Sequence, residues 1–450
     1  MKDARISGRT WFNIIVFGFM GQVAWAVENI YFNTFLFNYI GGTTKDISTM
    51  VALTAATAVI ATFLMGNLSD RLDRRKVFLS LGYILWGFSV MVFAFISRDN
   101  VAKLFGLADE VKILAASVSV VIIMDCVMTF IGSTSNDAAF NAWITDITVP
   151  ENRGKAEGIL ASFPILATLL VTVAFGAGVA AAGYPACFLG LGIGVSLCGL
   201  IGAFTLKDSR EGKPRRQGRY ITDLIYGFRP SVIKENALLY LALLAVSFFN
   251  IAVQIFLPYL FIYLQHYMGF DFENLNITPK VIGIAVVAIV LFIAVVYCLG
   301  LMVDKFGKDK FIYPSIALFI IGLIATSQAK KLGAFAATVV MVFAGYGLLM
   351  IILNASVRDF TPEDKTGLFQ GVRMIFMVLL PMVIGPPLGN AVIERFAPLQ
   401  QLGTYYNDFG EAVYVPVPEI FLAAAIFSVL IGIPIFFLRK KAKAQNKKGY

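Results

Sequence analysis

Charge is scarce in this chain. Asp, Glu, Lys and Arg make up 14% of its 450 residues, where a soluble domain carries about a quarter, and that shortage excludes a globular protein surrounded by water. Histidine is scarcer still. The single one, His266, excludes a histidine-built metal centre. The four cysteines (Cys126, Cys187, Cys198, Cys298) lie inside apolar runs without paired spacing. That excludes a disulfide framework or thiolate metal site and leaves them as small buried hydrophobes. No nucleotide-binding glycine loop, nucleophile-base pair or metal-ligand spacing occurs, so no enzyme, no ATP-driven pump, no metal and no cofactor are expected.

Long apolar runs fill the chain instead. Hydrophobic residues are 58% of the total and the mean hydropathy is +0.78, values that define an all-α integral membrane protein. Three early bases (Lys2, Arg5, Arg9) lead into an apolar run longer than the core of a signal peptide, so the start reads as a first transmembrane helix rather than a cleaved signal. Twelve spans are expected, near 11–39, 48–68, 77–97, 113–144, 157–182, 186–206, 236–267, 281–303, 311–328, 333–357, 368–393 and 419–438. With both termini in the cytosol, all but eight of the 37 Lys and Arg fall on the cytosolic side, a strong positive-inside bias that expects a multi-pass protein of the cell membrane. The net charge of +9 is that asymmetry near anionic lipid and not a nucleic-acid surface.

The chain divides into residues 1–206, a cytosolic linker 207–235 and residues 236–450, the last ending in a basic tail. In the linker, Ile221, Leu224, Ile225 and Phe228 recur at helical spacing, as in a short helix lying on the membrane surface. Two internal repeats mark the halves. Gly66-Asn-Leu-Ser-Asp70-Arg71-Leu-Asp73-Arg74-Arg75-Lys76 returns as Gly300-Leu-Met-Val-Asp304-Lys305-Phe-Gly307-Lys308-Asp309-Lys310. Each joins two spans through a glycine, an acid four residues on and a cluster of bases, which suits close helix approach, carboxylate-to-base pairing at the bend and positive charge on one side. Asp146-Ile-Thr-Val-Pro150-Glu151 after span four returns as Asp359-Phe-Thr361-Pro362-Glu363 after span ten, a proline-and-acid start for the next helix.

These repeated loops resemble the signatures of the major facilitator superfamily, the second copy fully and the first with Asp73 where the family has glycine. The resemblance spans the whole chain. It implies two pseudo-symmetric six-helix bundles, alternating access, a central cavity lined by helices one, four, seven and ten, and gating by Gly66, Asp70, Arg71, Arg74, Gly300, Asp304, Lys305 and Lys308.

An ionisable side chain in mid-membrane costs about 2.5–3.5 kcal/mol even on the lenient insertion scale and therefore points to function. Glu28 in span one and Asp125 in span four qualify, and a proton is the natural ion for such a carboxylate. Gln22, Asn29 and Asn33 share a face of span one, with Trp25 at its edge. Thr129, Gly132, Asn136 and Trp143 share the Asp125 face of span four, and Asn250 and Gln254 stand near the centre of span seven. Each of these amides has a plainer alternative in helix-to-helix hydrogen bonding. Span eleven, with Pro381, Gly385, Pro386, Pro387 and Gly389, is the most interrupted and suits close packing and bending.

The first half also resembles the glycoside-pentoside-hexuronide:cation symporters, through the polar-aromatic first helix ending in Phe37-Asn38-Tyr39-Ile40-Gly41, the acid in helix four, and Trp143 before the following loop. That subgroup carries two acids in helix two, where this chain has Thr62 and Ala58, and an acid where it has Asn38. These departures take away the residues of the subgroup's sodium site, so coupling falls to Glu28 or Asp125, for which a proton is the natural ion. The expectation is a proton-coupled symporter of a small polar solute such as a sugar or glycoside, a monomer in membrane lipid. Two alternatives stand beside it: a proton-coupled exporter of an amphipathic compound or lipid, and a non-transporting receptor on the same fold.

Overall fold

The structure, a computed structural model, describes residues 6–72, 74–148, 150–206, 227–270, 308–362 and 366–446. Ten stretches of it are long and apolar enough to cross a membrane: Gly8–Ile40, Thr44–Gly66, Arg75–Phe95, Glu110–Ile147, Ser162–Thr205, Ala237–Tyr267, Lys310–Ser327, Gly333–Phe360, Gly371–Leu399 and Glu419–Ala444. The fifth holds two expected spans joined at Gly183, whose φ of 76° is open to glycine and unfavourable for other residues. The expected span at 281–303, the surface helix of the linker up to residue 226, and Gly300, Asp304 and Lys305 lie outside the described residues.

The chain forms two compact units. One comprises Met1–Gly218 with Asn407–Glu411, the other Arg219–Tyr406 with Ala412–Tyr450. Helix starts at the membrane surface are capped as their sequences require: Ser7 accepts from the Thr10 N–H at 3.2 Å, and Asp109 accepts from the Lys112 N–H at 2.9 Å. With no water in the bilayer core to receive a loose carbonyl, the spans stay helical even where they deform. Among the described residues, six of their segments are π-helical, at Glu28–Phe32, Phe35–Ile40, Ser133–Phe140, Val171–Phe175, Tyr263–Tyr267 and Ile375–Leu379.

Small residues set how closely helices meet. In unit 1, a Cβ added to Gly87 would come within 2.3 Å of the Gly192 carbonyl, and one added to Gly199 within 2.6 Å of the Ser80 carbonyl, so spans three and six pack backbone to backbone. In unit 2, Gly385 and Gly389 do the same for spans seven and eleven, against Gln254 and the Ile255 carbonyl. Pro381 has no N–H to offer the carbonyl four residues before it, that of Met377. Asn250 supplies the missing donor through Nδ2 at 2.9 Å, and the Tyr259 hydroxyl donates to the Pro386 carbonyl at 2.8 Å. The interruptions in span eleven are thus matched by polar groups on span seven.

One element was not expected from the sequence. Thr404–Tyr406 pairs antiparallel with Ala412–Tyr414, forming a hairpin between the last two spans. Its tip, Asn407–Glu411, belongs to unit 1. There Arg98 is 6% exposed and uses each of its three nitrogens: Nε donates to the Ile40 carbonyl at 2.7 Å, Nη2 to Glu411 Oε2 at 2.7 Å and Nη1 to Glu411 Oε1 at 3.3 Å, and the guanidinium lies 3.5 Å from the Phe409 ring centre. Gly41, at φ 86°, leaves room for it, since a Cβ there would reach Arg98 Nη2 at 2.3 Å. Hydrogen bonding from Arg98 holds the Glu411 carboxyl below its ordinary value. A depressed acid stabilises the fold above its unfolded pKa and loses that contribution as pH falls through the folded one. Glu411→Gln is therefore expected to lower the melting temperature near neutral pH and to make no difference in strong acid. A deficit that persists unchanged into acid would show that the charge is not what matters.

Candidate functional site

Span one is α-helical to Val27 and turns π-helical at Glu28. Span four is α-helical from Glu110 to Gly132, π-helical over Ser133–Phe140 and α-helical again to Ile147. Both deformations fall where the polar residues are, as π turns often do at functional sites. Glu28 Oε1 accepts from Thr129 Oγ1 at 3.0 Å, tying the two spans together. One helical turn before Thr129 on the same face stands Asp125, 2% exposed, within electrostatic reach of Glu28. Asp137 is within reach of Glu28 as well.

These acids have no counter-charge on their own spans. No Lys or Arg occurs after Arg9 in span one or after Lys112 in span four. Glu28 Oε2 and Asp125 Oδ1 are buried without a hydrogen-bond partner. An ionised carboxylate in low dielectric is far costlier than a protonated one, which makes these two acids the candidates for a coupling role.

An aromatic cluster backs the acids. Trp25 and Trp86 lie with ring centres 5.0 Å apart, Tyr83 and Trp86 5.4 Å, and Phe17 and Tyr83 4.7 Å. The Tyr83 hydroxyl shares its one proton between the Phe17 carbonyl at 2.7 Å and Asn136 Oδ1 at 3.0 Å. Gly21 and Gly132 make the space. A Cβ on Gly21 would meet Asn136 Oδ1 at 2.5 Å, and one on Gly132 would meet Trp86 at 2.7 Å and Trp25 at 3.0 Å. Trp86 Nε1 is buried without a partner, a polar atom placed among apolar rings that a polar guest would satisfy.

The expected site residues separate into two groups. Asn33 donates to the Asn29 carbonyl at 3.0 Å, Thr129 holds Glu28, Asn136 is held by Tyr83, and Asn250 serves the Met377 carbonyl. These four are occupied by the protein itself. Gln22, Trp25 and Asn29 in unit 1 stay partly or fully exposed, as does Gln254 in unit 2. Asn29 donates only to its own helix, to the Trp25 carbonyl at 2.7 Å, which leaves its side-chain oxygen open. Among the described residues no group of three His, Cys, Asp or Glu side chains is disposed to hold a metal.

At the basic loop of unit 1 the geometry redistributes the expected roles. Arg75 is the buried base, 3% exposed, with Nε 3.3 Å from Asp146 Oδ2 and Nη1 on Ser69 Oγ, whereas Arg74 is exposed. The base of the first repeated loop therefore pairs with the acid that opens the second. Both motifs stood out in the sequence, but nothing in their spacing said they would touch. Gly66 does not enforce a close approach: an added Cβ would meet only Ala138, at an ordinary 3.8 Å. Asp70 and Arg71 sit in the last turn of Thr44–Leu72, and Lys308 begins Lys308–Ser327. Tyr83 and Trp86 carried no sequence signal, being two aromatics in one more apolar span.

The chain matches the Major Facilitator Superfamily over residues 11–294 and 272–450. It belongs to that superfamily and is a multi-pass membrane transporter, not an enzyme. No curated protein sequence matches it. Among solved structures it is similar to a bacterial homologue of the human lysosomal transporter Spinster in its inward-facing, unoccupied conformation, with a TM-score of 0.66 at 14% identity over 97% of this chain and 98% of that one. It is also similar to the nucleoside transporter NupG, with a TM-score of 0.67 at 10% identity over 95% of this chain and 98% of that one. At such identities the likeness is one of fold.

Proposed function

We propose that the protein couples proton movement to uptake of a small polar solute by alternating access, with a sugar or glycoside as the leading class. The observation that carries this reading is the pair of acids within electrostatic reach of one another, Asp125 buried and Glu28 half-buried and bonded to Thr129, each with one buried oxygen lacking a partner and with no base on either span. Asp125 is the proton carrier and Glu28 its partner, since Asp125 makes no hydrogen bond to the protein that would hold it in one charge state. On the solute side, the Trp25 ring gives a stacking face and Gln22 with the Asn29 oxygen gives hydrogen bonds, the combination of apolar wall and few placed polar groups that small-molecule sites use. NupG, a nucleoside transporter, carries a solute with a sugar ring on the same fold. The gating role falls to the basic loops, in unit 1 chiefly to Arg75 with Asp146 and to Asp70.

Reconstituted in vesicles with an inward proton gradient, the protein should accumulate its solute and lose that accumulation when a protonophore is added. A panel of sugars, glycosides and nucleosides in counterflow selects the substrate. Accumulation that rises on uncoupling would instead identify an exporter, and absence of flux with every solute, despite binding, a receptor.

A further inference from the structure

The transport reading leaves unused a groove of about 770 Å³ in unit 2. Leu241 and Leu244 from span seven, Phe376 from span eleven and Phe437 from span twelve form its wall, and Lys440 and Lys441 stand at its mouth. From these features we infer a binding site for one anionic phospholipid, with an acyl chain along the apolar wall and the phosphate at the two lysines.

The dimensions suit a chain end. The wall on span seven runs from Ala237 to Leu244, two helical turns or about 10 Å, within a leaflet whose hydrocarbon is about 15 Å deep. The chemistry suits a lipid better than a dissolved solute. Beyond the lysines the wall offers only the Tyr240 hydroxyl, which already donates to the Gly227 carbonyl, so a solute's hydroxyls would go unpaired. The sign of the charge follows from the rim. Both lysines are exposed, no acid lines the groove, and the ion pairs found among the described residues involve other groups. Lys234 and Glu235, on the short helix Pro230–Glu235 just before span seven, offset each other. The face is also the one that the distribution of bases assigns to the cytosol, where anionic headgroups lie, and a basic pocket between spans on that side is a recognised lipid seat.

The test uses the full-length protein in vesicles of phosphatidylcholine with or without phosphatidylglycerol, followed by native mass spectrometry. One phosphatidylglycerol should stay bound, and its presence should raise the melting temperature. At about fivefold per lysine, Lys440→Gln with Lys441→Gln should cut retention about 25-fold, while Leu244→Trp should displace the lipid with both lysines in place. Three results would overturn the site. These are equal retention in wild type and the double variant, stabilisation by glycerol phosphate as large as by the lipid, or a Leu244→Trp protein that keeps the lipid. A Leu244→Trp variant that melts lower without losing lipid would show that the chain's own linker, not a lipid, fills the groove.

Discussion

Asp125→Asn is expected to reduce the accumulation of solute to a ratio of about one while leaving exchange across the membrane intact. In the bilayer core a charged carboxylate costs about 2.5–3.5 kcal/mol on the lenient scale, so the solute-loaded carrier is expected to cross in the protonated state, and accumulation requires that proton to be released on the inner side. An asparagine imitates that state permanently and cannot release a proton. The variant therefore keeps moving solute between equal pools and loses the ability to drive it uphill. Glu28→Gln should act differently, because Glu28 is tethered to Thr129 at 3.0 Å. Its loss is expected to slow transport and shift its pH dependence while some accumulation survives. Counterflow and pH-driven uptake measured side by side separate the two. Uphill uptake still driven by pH in both variants would remove the carboxylate mechanism.

The second large effect is expected at Arg75. This guanidinium is 3% exposed and bonded to Asp146, itself 10% exposed, and to Ser69. Removing one partner of a buried pair leaves an uncompensated charge at a cost of about 3–5 kcal/mol. Arg75→Met should therefore lower the melting temperature sharply and impair turnover. Asp146→Leu in the same protein should restore much of the stability, since two apolar side chains replace a pair without leaving a charge behind. If stability returns and transport does not, the pair acts in gating as well as in folding. A melting temperature unchanged by Arg75→Met would show that the pairing has no energetic weight.

Much of the fold was legible because the bilayer enforces simple rules. Apolar length gave the spans, and most of the described ones begin and end within about four residues of expectation, as with 113–144 against Glu110–Ile147, although the last two run on to Leu399 and Ala444, six residues past the expected ends. The expense of charge singled out Glu28 and Asp125, which the structure places within electrostatic reach of one another, with Glu28 bonded to Thr129 one turn from Asp125. Amides were less legible. Asn250 looks like a solute ligand by position, yet its partner is a carbonyl deprived of its donor by Pro381 on a helix 127 residues away. Only the packing of span seven on span eleven reveals that. The hairpin Thr404–Tyr414 was invisible for another reason: its strands are three residues each, too short to show an alternating pattern, and what anchors its tip is Arg98, more than 300 positions earlier.

The π-helical turn Ser133–Phe140 also bears on how this chain compares with its relatives. A π turn accommodates about one residue more than an α turn, so the segment from Asp125 to Trp143 contains an extra position relative to a straight helix of equal rise. In a relative whose fourth helix is α-helical throughout, the residue facing as Trp143 does stands one position nearer to its acid. Sequences matched without a gap in mid-helix would then place Trp143 beside a residue on a different face. Deleting one residue between Ser133 and Phe140 should then turn the π turn into an α turn and leave Trp143 and Asp146 on the faces they have now, whereas the same deletion in a straight α-helix would rotate everything after it by about 100°.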